Sequence, residues 1–196
     1  MSLRYAILGV LSSMPMTGYD MVRHFDESVG TFWPSSPAQI YQELRRMEAD
    51  GLIAGSVAPR GQRAEKRIYD LTEGGRQTFK LLTLQPNAYP TERDGFRLQF
   101  CYFDLIPNEV ARDHLDAHIA HSKLQVEQLR ARIDGIRNRR SVLIQSRLNS
   151  RPPEMHEAIL QFRIQALEAH VLRAQAEITW AKRAIKVFAH LESSKK

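Results

Sequence analysis

The stretch that decides the fold runs from residue 33 to residue 71 and reads WPSSPAQIYQELRRMEADGLIAGSVAPRGQRAEKRIYDL. Its first part carries the signals that begin and end a helix. Ser36 suits the N-cap, Pro37 fits the first turn, where its missing N–H is not needed, and Gln39 completes a capping box. Gly51 tolerates the left-handed conformation that closes a helix. A short helix that begins at Ser36 and ends just before Gly51 is therefore predicted.

The two faces of this helix differ in chemistry. Its apolar residues recur at steps of four and three, which places them on one stripe that packs inward. The opposite face is small, amide-bearing and cationic. Such a helix fits a DNA major groove, where amide and guanidinium groups match the edges of adenine and guanine. The inward stripe is Ile40, Leu44 and Met47, and the base-reading candidates are Gln39, Gln42 and Arg45.

Two short strands are predicted after the helix, at residues 52–58 and 66–71, with a turn between them. From Arg45 to Arg67 the sequence contains six cations and three acidic residues. A hairpin with this bias, next to a groove-reading helix, would place cations beside a phosphate backbone. The alternative is an ordinary small domain whose charged helix and hairpin are only solvated. The cations of this predicted wing are Arg60, Arg63, Lys66 and Arg67.

Helical signals also flank the stretch on both sides. Residues 3–11 are apolar on one side of a helix, and residues 17–20 (Thr-Gly-Tyr-Asp) form a capping box for a second helix. Thr72 is placed to cap a fourth helix. Three helices followed by a hairpin, within about seventy residues, are typical of a winged helix-turn-helix. Residues 1–84 are therefore predicted to form a DNA-binding domain.

Six motifs in this region resemble the PadR-type family of transcriptional regulators, chiefly its longer subgroup with a helical C-terminal domain similar to that of the virulence-activator relatives. Each motif alone is weakly specific, because many winged helices share Gly-Leu-Ile after the third helix, but the ordered set is specific. The motifs are Leu8-Gly9-Val10-Leu11, Thr17-Gly18-Tyr19-Asp20, Phe32-Trp33-Pro34, Gln39-Ile40-Tyr41-Gln42-Glu43-Leu44, Glu48-Ala49-Asp50-Gly51-Leu52-Ile53 and Lys66-Arg67-Ile68-Tyr69-Asp70-Leu71-Thr72-Glu73-Gly74-Gly75.

The resemblance implies a repressor that acts as a homodimer and binds a double-stranded DNA operator through both third helices and wings. A small-molecule effector of unknown identity is a further expectation. By matching position, Gln39, Tyr41 and the Lys66-Arg67 pair are implied to contact DNA. Gln42 stands where the family often has proline, which weakens its base-reading role. The full set of expected DNA-binding residues is Ser36, Gln39, Tyr41, Gln42, Arg45, Arg60, Arg63, Lys66 and Arg67.

The second half of the chain is predicted to be helical. Residues 85–95 are polar and proline-bearing, which favours a linker, and residues 96–105 fit a short helix. From residue 119 to 143, and from 160 to 188, seam positions alternate steps of three and four as in a coiled coil. Because helices this long need cover, residues 96–192 are predicted to pack on each other and on a second copy; the alternative is an antiparallel hairpin within one monomer and no dimer. The dimerisation candidates are Val126, Leu129, Ile133, Ile136, Leu160, Ile164, Leu167, Val171, Ile178 and Ile185.

The predicted fold class is mainly α with a small β-hairpin: an N-terminal winged helix-turn-helix plus a C-terminal, coiled-coil-like dimerisation domain of long helices. The 196 residues carry a net charge of +6 and a pI near 9.7, which favours a polyanionic partner. The single cysteine, Cys101, excludes an intrachain disulfide and a CxxC-type site. Neither a secretion signal nor a membrane-spanning window is apparent, so a cytoplasmic protein is expected.

No catalytic or cofactor-binding motif stands out, so neither an enzyme nor a cofactor is expected. His114, His118 and His121 are spaced four and three apart and could ligate a transition metal, although they also lie beside the apolar seam, where polar groups are ordinary. Two competing classes therefore stay open, a winged-helix protein-interaction module and a metal-responsive regulator. Phe32, Trp33 and Trp180 could line a small-molecule pocket or belong to the core.

Overall fold

The computed structural model describes residues 2–27, 29–60, 64–89 and 93–193. In these ranges it is mainly helical with one small antiparallel sheet, which confirms the predicted fold class. The helices are α1 Leu3–Leu11, α2 Gly18–Glu27, α3 Pro37–Ala49, α4 Glu73–Leu84, α5 Gly95–Phe100, α6 Asn108–Arg137, α7 Val142–Asn149 and α8 His156–Ser193, and the strands are β1 Met16–Thr17, β2 Ile53–Arg60 and β3 Ala64–Leu71.

The first of two compact units comprises Met1–Tyr89 together with Ser141–His156. Its apolar core joins α1, α2, α3 and the sheet. The inward stripe of α3 is almost completely buried there, as predicted, with Leu44 and Met47 both 0% exposed. A buried side chain of this size contributes about 1.5–3 kcal/mol through apolar burial. The inner face of α3 is thereby fixed, and its polar face is left outward.

The sheet has the strand order β1-β3-β2, all antiparallel. The hairpin pairs Ile53 with Leu71 at its base and Arg60 with Ala64 at the far end. On the other edge of β3, Met16 of β1 lies opposite Tyr69. The sequence predicts the hairpin but not β1, because two residues are too few to show an alternating pattern.

Local capping explains where the helices of this unit begin and end. The predicted 3–11 helix is confirmed as α1, and α3 begins at the residue after Ser36. Gly51 closes α3 at φ +68°, while its N–H donates to Glu48 and the N–H of Leu52 donates to Met47, a Schellman motif.

The second unit comprises Pro90–Arg140 together with Glu157–Lys196, and here one prediction was wrong. The first long helix was predicted to continue to Leu143, but α6 ends at Arg137. Arg139 adopts φ +51°, and the N–H of Arg140 donates to the carbonyl of Gly135 at 2.9 Å. This is again a Schellman ending, formed without the glycine that usually marks it in a sequence.

Helices α6 and α8 pack antiparallel within one chain. The first residues of α6, including Leu115, share an apolar cluster with Ala181 and Ala184 near the end of α8. Near the other end of α6, Arg137 lies 3.6 Å from Glu168 of α8. The two long helices therefore pack on each other within one chain, as predicted, and packing on a second copy stays a prediction.

Helix α7 belongs to the first unit, although the predicted domain boundaries place it in residues 96–192. Leu143 is buried in the core that contains α1 and α3. The Ser146 hydroxyl donates a hydrogen bond of 2.6 Å to the carbonyl of Ser13. Residues 141–156 are thus a segment of the second half that packs on the winged helix. We name residues 141–156 the docking segment.

Among the residues that the structure describes, no helix is both long and apolar enough to span a bilayer.

Candidate nucleic-acid interface

The start of α3 is held by a reciprocal cap. The Ser36 hydroxyl accepts from the backbone N–H of Gln39 at 3.3 Å, and the Gln39 side-chain oxygen accepts from the backbone N–H of Ser36 at 2.9 Å. This confirms the predicted capping box. It also means that the side-chain oxygen of Gln39 already accepts one hydrogen bond, whereas both N–H groups of its amide remain available to another partner.

Gln42 and Arg45 lie on the outward face of α3, and both are exposed. Within the part of the chain that the structure describes, neither side chain has a hydrogen bond or an ion pair. Two of the three base-reading candidates are therefore unengaged, on a helix whose opposite face is anchored in the core.

Tyr41 joins this face to the base of the wing. Its ring lies so close to Gly18 that a Cβ atom there would collide with it. Together with Lys66, Arg67 and Tyr69 it lines an open groove of about 360 Å³. The structure thus brings together Tyr41, Lys66 and Arg67, which the sequence placed on separate elements.

The start of α2 contributes an acid to the same groove. The Thr17 hydroxyl donates to Asp20 Oδ2 at 2.6 Å, and Lys66 Nζ lies 4.0 Å from the same oxygen. The hydrogen bond from Thr17, assisted by the positive charge of Lys66, lowers the pKa of Asp20. Lys66 therefore faces the groove with a partly compensated charge.

Arg67 is held by Glu48 of α3. Its Nη2 atom donates to Glu48 Oε1 at 2.6 Å, and its guanidinium lies 5.9 Å from the centre of the Tyr69 ring. The bond to Glu48 raises the pKa of Arg67. The same Glu48 oxygen accepts from the backbone N–H of Gly55 at 2.9 Å. One carboxylate thus ties the end of the reading helix to both strands of the hairpin.

Arg4 neutralises Glu43 of α3 and Asp50, the residue that follows this helix as its C-cap. Its guanidinium lies 2.8 Å from Glu43 and 2.8 Å from Asp50. The hydrogen bond to Glu43 raises the pKa of Arg4, and the pair reduces the negative charge that α3 presents. Sequence reasoning missed Arg4 and the bridging role of Glu48, because both contacts join residues far apart in the chain.

For the two remaining wing candidates, the structure describes only the backbone of Arg60. Arg60 is the last residue of β2, and its side chain is not among those described. Arg63 lies outside the described residues. Their role as DNA contacts stays a prediction.

The dimerisation candidates lie on the seam between α6 and α8. Two of them, Ile178 and Ile185, are half-buried. They pack against the apolar cluster of the second unit that also contains Phe96, Phe100, Phe103, Trp180 and Phe188. The other eight are buried inside a single chain: Val126, Leu129, Ile133, Ile136, Leu160, Ile164, Leu167 and Val171.

The histidines do not form a metal site in the ranges described, where no group of three or more His, Cys, Asp or Glu residues could hold a metal ion. His118 pairs with Glu177 at 3.1 Å and stacks on Phe96 at a ring distance of 4.3 Å. His114 lies against Phe103, and His121 is exposed.

The aromatic residues considered for a pocket belong to two different units. Phe32 and Trp33 belong to the first unit, where they are 39% and 37% exposed. Trp180 belongs to the second unit, where its ring lies 5.1 Å from that of Phe100.

Comparison with known proteins connects this geometry to one family. Residues 7–81 match the family described as "Transcriptional regulator PadR-like family". The chain is 33% identical over 112 residues to the "Negative transcriptional regulator PadR" of Bacillus subtilis, over 57% of this chain and 62% of that protein. It is 36% identical over 86 residues to a probable transcriptional regulator of Mycobacterium tuberculosis. The chain thus spans less than two thirds of the length of these relatives, 62% and 46%.

Solved structures share the fold over nearly the whole chain. The B. subtilis PadR structure in complex with operator DNA matches at a TM-score of 0.74 and 24% identity, over 95% of this chain and 97% of that one. The Vibrio cholerae virulence activator AphA matches at 0.67 and 26%, over 97% and 99%. A B. subtilis PadR structure in complex with p-coumaric acid matches at 0.69 and 24%, over 95% and 98%.

Proposed function

We propose, from the match of residues 7–81 to the PadR-like family of transcriptional regulators, that the chain is a cytoplasmic repressor that binds operator DNA in a sequence-specific manner. The observation that carries the proposal is the outward face of α3, where Gln42 and Arg45 are exposed and unengaged while the inward face is anchored in the core. In a major groove, such amide and guanidinium groups discriminate bases by about 1–3 kcal/mol per good pair.

In this proposal the wing contacts the phosphates. Lys66 and Arg67 border the groove that also contains Tyr41, so a backbone that follows α3 would meet all three. Phosphate contacts fix register and make binding salt-dependent, whereas contacts to base edges provide the specificity. Arg60 and Arg63, which the sequence also assigns to the wing, are proposed as further phosphate contacts.

Repression and release by an effector are proposed from the relatives. The B. subtilis relative is named as a negative regulator, and a B. subtilis PadR structure contains p-coumaric acid. A small molecule can change operator affinity only by the difference in its affinity for the two states of the protein. The effector of this chain is accordingly proposed to bind the DNA-free state more tightly.

The protein is proposed to act as a homodimer, since two half-sites require two reading helices. The seam residues are covered within one chain, so their part in dimerisation is to stabilise the antiparallel pair of helices. The surface proposed for the second copy uses apolar side chains that stay exposed on the second unit: Leu98, Tyr102, Leu105, Val187 and Leu191.

Two measurements test these proposals. Purified protein is titrated with its own upstream DNA and with a scrambled duplex over several salt concentrations. Tight binding to the first duplex alone, weakening as salt rises, is expected. Equal and weak binding to both duplexes contradicts the operator proposal.

Sedimentation equilibrium should give twice the 22.5 kDa chain mass, and a folded Leu98→Asp/Leu105→Asp variant should sediment as a monomer.

A further inference from the structure

A second groove lies in the first unit beside α4, with a volume of about 530 Å³. We name it the α4 groove. Its cations are Arg76 and Lys80 from α4 and Arg151 from the docking segment. None of the three is among the expected DNA-binding residues. The volume falls in the range of about 300–1,000 Å³ that is usual for small-molecule sites, so a small ligand would fit.

A fourth cation, Arg147 of α7, lies near Arg151 in the docking segment. Its side chain is half-buried, and in the described part of the chain it has neither a hydrogen bond nor an ion pair. Burial lowers the pKa of Arg147, and the positive charge of Arg151 lowers it further. A half-buried guanidinium without an anionic partner is unfavourable, because water solvates it less and a like charge repels it. An anion bound nearby would relieve this repulsion.

No carboxylate balances these cations among the residues that the structure describes. There, no Asp or Glu lines the α4 groove, and none of Arg76, Lys80 and Arg151 forms an ion pair. Arg76 makes one bond, from Nη2 to the carbonyl of Leu71 at 3.2 Å, which leaves its other donors available. A ligand with a single negative charge would leave most of the positive excess in place. A ligand with several negative charges is better matched.

An apolar wall lies next to the cations in the same groove. The ring of Phe79 is supported by the ring of Tyr5, at a centroid distance of 5.1 Å, and Leu84 is 72% exposed at the end of α4. Arg76, Lys80 and Leu84 recur at steps of four, so they share one face of the helix. A flat ring that packs on this wall would remove apolar surface from water. A planar base joined to a phosphate chain therefore satisfies both parts of the groove.

We propose that the α4 groove binds a nucleoside diphosphate. The base packs on Phe79 and Leu84, and the diphosphate lies among Arg76, Lys80 and Arg151. At neutral pH a terminal diphosphate carries about three negative charges, which is close to the positive excess of the region. Guanidinium groups suit this role because they can donate two parallel hydrogen bonds to phosphate oxygens. The binding does not depend on the operator proposal; only an effect of the nucleotide on repression would rest on it.

The test is calorimetric titration of the full chain, without DNA or Mg²⁺ and at one salt concentration, with three probes. Adenosine diphosphate (ADP) has both the base and the charges, adenosine lacks the charges, and inorganic pyrophosphate lacks the base. We expect saturable binding of ADP with a Kd of about 10–100 μM, and roughly tenfold or weaker binding of the other two probes. Binding of either one as tight as that of ADP, or no saturation by about 2 mM ADP, overturns the proposal.

Two charge-removing variants locate the phosphates. Lys80→Gln and Arg151→Gln should each weaken ADP binding about threefold to tenfold, since each removes one positive charge from the α4 groove. Lys123→Gln removes one charge at an exposed position of α6 and should leave the Kd unchanged. If Lys123→Gln weakens binding as much as the groove variants, only the net charge matters and the assigned site is wrong.

One apolar variant locates the base. Leu84→Ser should weaken ADP binding about threefold and leave pyrophosphate binding unchanged, since it removes apolar surface but no charge. Leu81→Ser is the control, because Leu81 is 62% exposed on the same helix but does not line the groove. An equal loss in both variants, or no loss in Leu84→Ser, contradicts the assigned position of the base. Because no DNA is present, these failures are distinguishable from a failure of the operator proposal.

Discussion

Glu48 binds Arg67 across the junction of the reading helix and the wing, with 2.6 Å between Glu48 Oε1 and Arg67 Nη2. The same oxygen accepts from the N–H of Gly55, so the carboxylate contacts both strands of the hairpin. An exposed ion pair of this kind contributes little to stability, because solvent screens it. Its larger effect here is geometric, because it determines where Arg67 lies relative to α3.

Glu48→Gln should reduce sequence discrimination more than it reduces stability. The substitution leaves Arg67 charged but less well positioned, so non-specific affinity should rise slightly. The ratio of operator affinity to scrambled-duplex affinity should fall roughly fivefold, which corresponds to a loss of about 1 kcal/mol in the free energy of discrimination. Duplex titrations at matched salt measure this ratio. Glu127→Gln makes the same change of charge at an exposed position of α6 and should not lower the affinity ratio. If Glu127→Gln lowers the ratio as much as Glu48→Gln does, Glu48 has no geometric role.

Gly55→Ala should disturb the same junction from the strand side. A Cβ atom there would lie 2.5 Å from both Arg67 Nε and Glu48 Oε1, so the two side chains must move apart. We expect a loss of about 1 kcal/mol in the free energy of unfolding, together with reduced discrimination. Urea unfolding and the duplex titration measure the two effects. Gly135→Ala, in a helix with open space around it, is the control and should be neutral or stabilising.

The two roles of Gln39 can be separated by Gln39→Glu. Glutamate can still accept from the N–H of Ser36, and its charge suits a helix N-terminus, so stability should be kept. DNA affinity should fall by about 1 kcal/mol or more, because a carboxylate would face the DNA. Gln39→Ala should instead lose about 1 kcal/mol of stability with the cap. Unchanged operator affinity in Gln39→Glu would exclude Gln39 from the interface.

Leu143→Ala tests the docking segment. Leu143 is buried in the core of the first unit, so its truncation should cost about 2–5 kcal/mol in the free energy of unfolding. Val142→Ala, one residue earlier and 59% exposed, should cost less than about 0.5 kcal/mol. Urea midpoints give both values. A small effect of Leu143→Ala would mean that the segment is not part of the winged-helix core.

The sequence contains enough local information for most of the winged helix. Caps, apolar periodicity and turn residues act within a few positions, and they predict α1, α3, the hairpin and the start of α4. The same rules failed at Arg139, where an arginine takes the left-handed position that glycine usually fills. Apolar periodicity alone therefore predicted that the helix continues to Leu143, whereas α6 ends at Arg137.

The functional surface was less predictable, because long-range pairing decides which charges are available. From the sequence alone, both Arg45 on the helix and Arg67 on the wing are expected to be available to DNA. In the structure Arg67 is bound to Glu48, whereas Arg45 has no partner among the described residues. Similarly, an apolar seam does not say whether its partner is a second copy or the same chain, and α6 and α8 cover each other.

The pKa of Asp20 gives a prediction for acid stability. Its folded-state value is lowered, chiefly by the hydrogen bond from Thr17, so the ionised carboxylate stabilises the fold above the ordinary pKa of 3.8. This contribution is lost as the pH falls through the lowered folded-state value. Asp20→Asn should therefore be less stable than wild type near neutral pH, by a few tenths to about 1 kcal/mol, because Asp20 is partly exposed.

The difference between Asp20→Asn and wild type should shrink as the pH falls below 3.8, the ordinary value for this carboxyl. Urea midpoints between about pH 2.5 and pH 7 measure it. Thr17→Val, which removes the donor, should reduce the difference at neutral pH, whereas Thr17→Ser, which keeps the hydroxyl, should preserve it. A difference that is the same at all pH values would show that ionisation of Asp20 does not contribute to folding.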